Sequence, residues 1–520
     1  MNHKSRTYNT VKNAAISTAI QIATLLASFV GRTIFIRVLG EQYLGISGLY
    51  SNILSVLSLA DLGITTVMTF SLYKPIAEND TSQVASLLAY FKKLYRYIAL
   101  AVFAIGMCLV PFLDLIINGS ELPLNELRLY YVLFLINSAC SYLVVYKTTL
   151  IQADQKVFII KIANFIARMA GEVAIIVILL LTENYALYLA VSIAITLIMN
   201  GALSLIADKM YPFLREKGTV AVAGEQRKRI VDNIKSLFIY RVSAMIMNST
   251  DNIIISVMLG TVIVGYYSNY LMIVTALNTF IMMIAQSVLS SIGNFNAAAE
   301  PKRNLQLFKS LLLGFALIGA ACVCCFQTMF NDFIYLWIGK QNPEYVLSYF
   351  TVICISVNFF VSCLLNPIWM YREATGIFKK TRYSMTCAAA LNILLSIVLG
   401  HLLGVGGIVI ATGLSKLLTN FWFEPIILYR DVFQSRVRGY WIYMGKLLAV
   451  VAACVVGSML ACARIPCGWG WMFLKIFISF ASCGILFLAA FFRSEELLFY
   501  KNTLMRLLGR KKPNQKTESI

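Results

Sequence analysis

Two histidines, His3 and His401, are all that this 520-residue chain contains, and its 24 acidic residues are outnumbered by 44 lysines and arginines. Histidine-based acid–base chemistry and His-rich metal sites are thereby poorly provided for. Charged side chains of both signs make up only 13% of the chain and hydrophobic ones 59%, far more apolar surface than a soluble domain could bury. No long polar stretch separates the apolar runs, so no room is left for a catalytic or regulatory domain outside a bilayer. The twelve cysteines do not form a metal-ligand pattern. Cys322, Cys324 and Cys325 lie in an apolar run with no histidine or carboxylate at ligand spacing. Cys108, Cys140, Cys354, Cys363, Cys387, Cys454 and Cys483 sit inside apolar segments as small packing residues.

The apolar runs are long enough, as helices rising 1.5 Å per residue, to cross a hydrocarbon core about 30 Å thick. Fourteen spans are expected, from 11–38 to 469–492, among them 43–73, 234–259, 380–400 and 404–428. The basic N-terminal residues Lys4, Arg6 and Lys12 precede a long, polar-striped run without a small-residue cleavage signature, so the first helix is read as retained. The formal net charge of +20 is spread over alternate connections, such as Lys74, Lys92, Lys93 and Arg96, then Lys209, Arg215 and Lys217, then Arg372, Lys379 and Arg382. Intervening connections are short and nearly uncharged or acidic. This parity is a topology signal rather than a nucleic-acid one, and it places both termini in the cytoplasm. The same bases also meet anionic headgroups.

The two halves of the chain repeat. Ile34 to Gly45 aligns with Ile254 to Gly265, pairing Gly40 with Gly260 and Gly45 with Gly265; Asn137 pairs with Asn358, and Phe91-Lys92 with Phe308-Lys309. Each half begins on the same side, so the repeat is parallel, about an axis along the membrane normal. The expected architecture is all-α: an N-terminal six-helix half (1–207), a cytoplasmic connection (208–233), a C-terminal six-helix half (234–430), two extra helices (431–492) and a basic tail (493–520). A cavity is expected between the halves.

Polar residues inside membrane helices are costly and face a bundle interior or a watery cavity. In the first helix Asn13, Ser17, Gln21, Thr24, Ser28 and Arg32 step by three or four down one face. The seventh repeats this with Arg241, Asn248, Asp251 and Asn252, and the repeat places Ser28 with Asn248 and Arg32 with Asn252. The fifth adds Lys161, Asn164, Arg168 and Glu172, the twelfth Lys416, and the second Ser47, Ser51, Ser55, Ser58 and Asp61. Arg32, Arg168, Arg241 and Lys416 outnumber the acids at that depth and are the candidate anion-binding cations. Asp61, Glu172 and Asp251 are candidates for a coupling proton or sodium ion, or for counter-ions to those bases. The plainer reading of the same residues is an Arg168–Glu172 pair one turn apart and inter-helix hydrogen bonds.

The stretch Gly31 to Ile64, GRTIFIRVLGEQYLGISGLYSNILSVLSLADLGI, resembles the opening of Wzx-type polysaccharide flippases of the multidrug/oligosaccharidyl-lipid/polysaccharide exporter superfamily, and SLFIYRVSAMIMNSTDNIIIS (Ser236 to Ser256) is similar to the start of their second half. The resemblance implies a MATE-like fold and a flippase that carries an undecaprenyl-pyrophosphate-linked oligosaccharide between leaflets of the bacterial cytoplasmic membrane. It also implies cavity arginines and lysines on the anionic headgroup, a role that Arg32, Arg168, Arg241 and Lys416 fit. Polysaccharide polymerases and glycosyltransferases are the implied partners; neither a cofactor nor nucleic acid is.

Three other readings compete. A peptidoglycan-precursor flippase would share the fourteen-helix plan. A MATE-type cation or drug antiporter would normally stop at twelve helices and use acids on cationic substrates. A membrane glycosyl polymerase or acyltransferase would need a sizeable outer loop or catalytic histidine and acids.

Overall fold

The structure is a computed structural model that describes residues 3–57, 64–154, 156–215, 224–298, 300–375 and 377–507. Its chain contacts divide it into two compact units, Met1–Gly265 and Tyr266–Ile520. The first contains α1 (His3–Leu39), α2 (Glu41–Leu57), α3 (Ile64–Ala77), α4 (Thr81–Leu109), α5 (Leu124–Ser141), α6 (Val145–Ala153), α7 (Val157–Thr182), α8 (Tyr185–Met210), α9 (Gly224–Leu259) and the first turn of α10 (Thr261–Ala298). The second continues through α11 (Pro301–Ile334), α12 (Tyr349–Thr375), α13 (Phe378–Leu418), α14 (Asn420–Asp431), α15 (Arg438–Cys462), α16 (Trp469–Phe491) and α17 (Glu495–Leu507). α9 starts at Gly224, so the end of the 208–233 connection is helical.

Among the described residues eleven helices are long and apolar enough to cross a membrane, fewer than the fourteen spans expected. The difference has local causes. The expected span 43–73 appears as α2 and α3 on either side of residues 58–63, which lie outside the described residues. In 234–259 only Ser249–Leu259 forms an apolar stretch, too short to count. The spans 380–400 and 404–428 follow one another without a loop in Tyr383–Asp431, but they are two helices that meet at Gly404, whose φ of 62° and ψ of −142° are not helical. With no strand among the described elements, backbone polar groups are satisfied within helices, as hydrocarbon requires.

The first unit is closed by aromatic packing where α1, α2, α5 and α8 end or begin. Tyr185 is 5.0 Å from Tyr43, 4.8 Å from Tyr130 and 5.9 Å from Phe35, centroid to centroid. Asn184 caps α8 by accepting from the Leu187 amide at 3.0 Å. α9 and α10 are sewn onto the same end: the Ser256 hydroxyl donates to the Ile116 carbonyl at 2.8 Å, and the Thr261 amide to the Asn118 carbonyl at 2.9 Å.

The repeat is visible in the backbone. Gly40 and Gly260, partners in the alignment, take φ of 84° and 113° at corresponding helix ends, a region only glycine enters freely. Phe91 and Phe308 are both fully buried. Their neighbours Lys92 and Lys309 lie 5.9 Å and 5.8 Å over tyrosine rings.

In the second unit α11 is the central helix, with 67% of its apolar window buried. Between membrane helices the hydrophobic effect supplies little discrimination, so small residues and hydrogen bonds select the register. Cys324, Thr328 and Asp332 of α11 step by four, as do Lys475, Ser479 and Cys483 of the antiparallel α16. They meet in order: Cys324 and Cys483 Sγ at 3.4 Å, Thr328 and Ser479 hydroxyls at 3.3 Å, and Asp332 and Lys475 at 2.6 Å. Ser458 of α15 joins through Ser482 at 2.5 Å. Of the cysteines expected to pack, Cys354, Cys363, Cys454 and Cys483 are buried, whereas Cys108 and Cys387 are exposed.

Candidate functional site

In the first unit the polar stripes of α1 and α7 face one another. The Arg168 guanidinium, itself exposed, donates to the Ser28 hydroxyl at 3.0 Å. One turn along α7, Glu172 turns its carboxylate to the α1 backbone at Gly31, where an added methyl would lie 2.6 Å from Glu172 Oε2. Any side chain larger than glycine at position 31 would push that carboxylate away. Arg32 follows directly, half-buried, and Tyr188 of α8 is within electrostatic reach of both Glu172 and Arg32. Ser28, Arg32, Arg168 and Glu172, two pairs each 140 positions apart in sequence, thus form one polar patch with two cations and one anion. Arg168 bonds across to α1, which goes beyond the plain i,i+4 pair.

In the second unit Lys416, near the end of α13, is 7% exposed. Its ammonium donates to Asn358 Oδ1 at 3.3 Å and to the Ser362 hydroxyl at 3.1 Å, both on α12. Gly413 packs against the Asn358 backbone, where an added methyl would make ordinary contact at 3.4 Å. Asn137, the partner of Asn358 in the first repeat, has a buried side-chain oxygen without a hydrogen-bond partner. The repeats therefore diverge in chemistry at a position where they agree in residue.

Lys416, Asn420 and Glu424 step by four into α14, and Glu424 is the end of a buried network. Arg372 and Glu424, 2% and 1% exposed, lie 3.0 Å apart; Asn420 and Ser384 donate to the same carboxylate at 2.9 Å and 3.1 Å. Such a pair is held by its extra hydrogen bonds against the cost of leaving water. Sequence reading had assigned Arg372 to a cytoplasmic connection and had passed over Glu424. The available signal was an acid inside an expected span, at helical spacing from Lys416.

The remaining candidates divide. Asp251 is half-buried in α9, and Asn252 beside it is buried. Asp61, Ser58 and the side chains of Asn13, Ser17, Arg241 and Asn248 lie outside the described residues.

Residues 10–290 match the model of the family described as "Polysaccharide biosynthesis protein". No curated protein matches the chain. Among solved structures, the lipid II flippase MurJ in an inward closed conformation is similar with a TM-score of 0.68 at 12% identity, over 94% of this chain and 100% of that one. An inward-facing multidrug resistance MATE family transporter of the MOP superfamily gives 0.58 at 14% identity, over 79% and 98%. A MOP superfamily transporter from Pyrococcus furiosus Vc1, its binding pocket described as of reverse polarity, gives 0.56 at 12%, over 79% and 93%. At these identities the likeness is one of fold, an all-α transporter fold whose match to MurJ extends over nearly all of this chain. The family match spans more than half of the sequence, and this multi-pass membrane protein belongs to the polysaccharide biosynthesis protein family.

Proposed function

We propose that this protein is a flippase, not an enzyme, that moves an undecaprenyl-pyrophosphate-linked oligosaccharide from the cytoplasmic to the outer leaflet of a bacterial plasma membrane, with both chain termini in the cytoplasm. Arg168 carries the proposal: an exposed guanidinium in a membrane helix, steered by Ser28 at 3.0 Å, beside the second cation Arg32. Guanidinium groups suit phosphate oxygens because they donate in a planar fork. Arg241 and Lys416 complete the proposed cationic set, and Glu172 and Asp251 serve as counter-ions that keep those charges in place. Translocation proceeds by alternating access while the prenyl tail stays in lipid.

The energetics need no coupling ion. With the inside negative, moving two negative charges outward is favoured by roughly 4 to 5 kcal/mol at about 100 mV. A proton or sodium ion on Asp61, Glu172 or Asp251 would add to that drive. Polysaccharide polymerases and glycosyltransferases are the expected neighbours in the same membrane. A second reading, a flippase for a lipid-linked peptidoglycan precursor, is favoured by the likeness to MurJ over 94% of the chain.

Reconstitution tests the proposal. Liposomes carrying the protein and a fluorescent polyprenyl-pyrophosphate oligosaccharide are read with a probe that reacts only outside, with and without an imposed potential. Transbilayer movement above that in liposomes with an Arg32→Ala, Arg168→Ala, Lys416→Ala variant supports it. Equal movement by wild type and variant, both inserted, sinks the cationic site. No movement under any gradient sinks the flippase reading, and rescue of a peptidoglycan-flippase depletion would select the second one.

A further inference from the structure

The matched rows on α11 and α16 spend most of their hydrogen-bonding capacity on each other, but the Asp332–Lys475 end stays open. Lys475, 5% exposed, has three N–H donors and gives one of them to Asp332 at 2.6 Å. Asp332 keeps further acceptor sites, and Gln327, which donates its amide to Ser356 at 2.6 Å, keeps its carbonyl oxygen. All three border one cavity of about 410 Å³, walled on the other side by Met459, Ile465 and Cys467. That volume lies within the ~300 to 1,000 Å³ of small-molecule sites.

The chemistry of the lining selects its occupant. An anion entering meets Asp332 and a cation meets Lys475, whereas a hydroxyl group donates to one and accepts from the other. A neutral polyol satisfies donors and acceptors together, and the apolar wall suits the C–H face of a sugar ring. Aromatic residues neighbour the lining in sequence. Phe333, next to Asp332, packs edge-on against Trp469 at 5.9 Å; Trp471, one turn before Lys475, is 49% exposed.

We propose that this cavity, wholly within the second unit, is a subsite for a neutral sugar ring. It rests on the flippase reading for the source of its ligand, a saccharide still attached to its lipid carrier; a free soluble sugar carries the same chemistry. The turn at 463–468 that rims the cavity is on the face expected outside, so the subsite would receive the glycan after translocation.

Cys467 is exposed and lines the cavity, so its alkylation reports occupancy. The full-length protein in nanodiscs is treated with a maleimide, and Cys467 labelling is followed by peptide mass spectrometry with three probes. These are the lipid-linked oligosaccharide extracted from the source cells, the same oligosaccharide released by mild acid, and polyprenyl pyrophosphate without sugar. At ten times its dissociation constant a bound sugar slows labelling about tenfold. Protection by the lipid-linked form alone identifies the carrier-bound glycan, and protection by the released form as well identifies a site for the sugar itself; both support the subsite. Equal protection by the sugar-free lipid overturns it, because the occupant is then the carrier. No protection in samples that still flip substrate overturns the subsite and leaves the flippase reading intact. The Asp332→Asn, Lys475→Met double variant removes both charges together, leaving no unpaired one, and protection that persists in it also overturns the proposal.

Discussion

Gly45 and Gly265, equivalent positions in the two repeats, meet backbone to backbone at the crossing of α2 with the first turn of α10: a methyl group on Gly265 would lie 3.0 Å from the Gly45 amide nitrogen and 2.9 Å from the Glu41 carbonyl. A methyl on Gly45 would run into the Thr261 carbonyl. This contact ties the start of α10 to the first unit. In a membrane, small residues at a crossing let two backbones approach closely enough for dispersion to hold them.

Gly45→Ala and Gly265→Ala should each lower the thermal unfolding temperature in detergent. The obstacle is backbone, not the tip of a flexible side chain, and overpacking costs about 1 to 3 kcal/mol. Gly457→Ala in α15, with nothing within 4 Å of the added atom, is the control. It should be neutral or stabilising, by up to ~1 kcal/mol. Equal effects at all three positions would show that the crossing is not tight.

Removing one member of the Arg372–Glu424 pair leaves the other charge buried without its counter-ion. Arg372→Met or Glu424→Gln should destabilise by roughly 3 to 5 kcal/mol, while the double variant should recover much of that loss. A thermal-shift series on the three proteins checks it. Additive losses in the double variant would mean that the pair is not coupled.

Arg168→Ala should weaken binding of a pyrophosphate headgroup by about 1.5 to 3 kcal/mol, the range for a hydrogen bond to a charged group. Ser28→Ala, which removes only the group that steers the guanidinium, should have the smaller effect. Arg168→Lys should fall between them, having lost the planar fork but kept the charge. Initial flipping rates against substrate concentration separate the three, and a Ser28→Ala defect as large as that of Arg168→Ala would refute this ordering.

The connection between α6 and α7 carries an acid-sensitive contact. Asp154 lies 2.7 Å from Lys156 and accepts a hydrogen bond from Tyr211 at 2.7 Å. Burial opposes its ionisation, but the bonds from Lys156 and Tyr211 outweigh burial and hold the carboxyl below its ordinary value of 3.8. A depressed carboxyl stabilises the fold above the unfolded value and loses that contribution as pH falls through the folded one. Melting temperature should therefore drop in the window below about pH 4, and Asp154→Asn should flatten that limb. Because Lys156, the cation of the pair, is exposed, the change should be small. An unaltered acid limb in the variant would assign the loss to other carboxylates.

Much of the fold was legible in the residues. Apolar length identified most of the helices, and the repeat alignment paired Gly40 with Gly260, which both take a positive φ. The polar stripe on α1 and the polar stripe on α7 do share a contact, at Ser28 and Arg168. The misreading of Arg372 has a simple cause. Arg372 looked like an interfacial loop residue because its partner, Glu424, is 52 positions away, and only the packing of α12 against α14 brings the two together.

The sequence by itself determined the membrane class, the repeat, the basic bias and the family, because each is carried by composition or by spacing along a single helix. Tertiary structure alone decided which helices share a face. It gave Lys416 to Asn358 and Ser362, set Asp332 against Lys475, and closed Gly45 on Gly265. Periodicity along a helix says which side is polar, but the choice of partner between helices is made by small residues and hydrogen bonds at long sequence separation, where lipid itself supplies no preference.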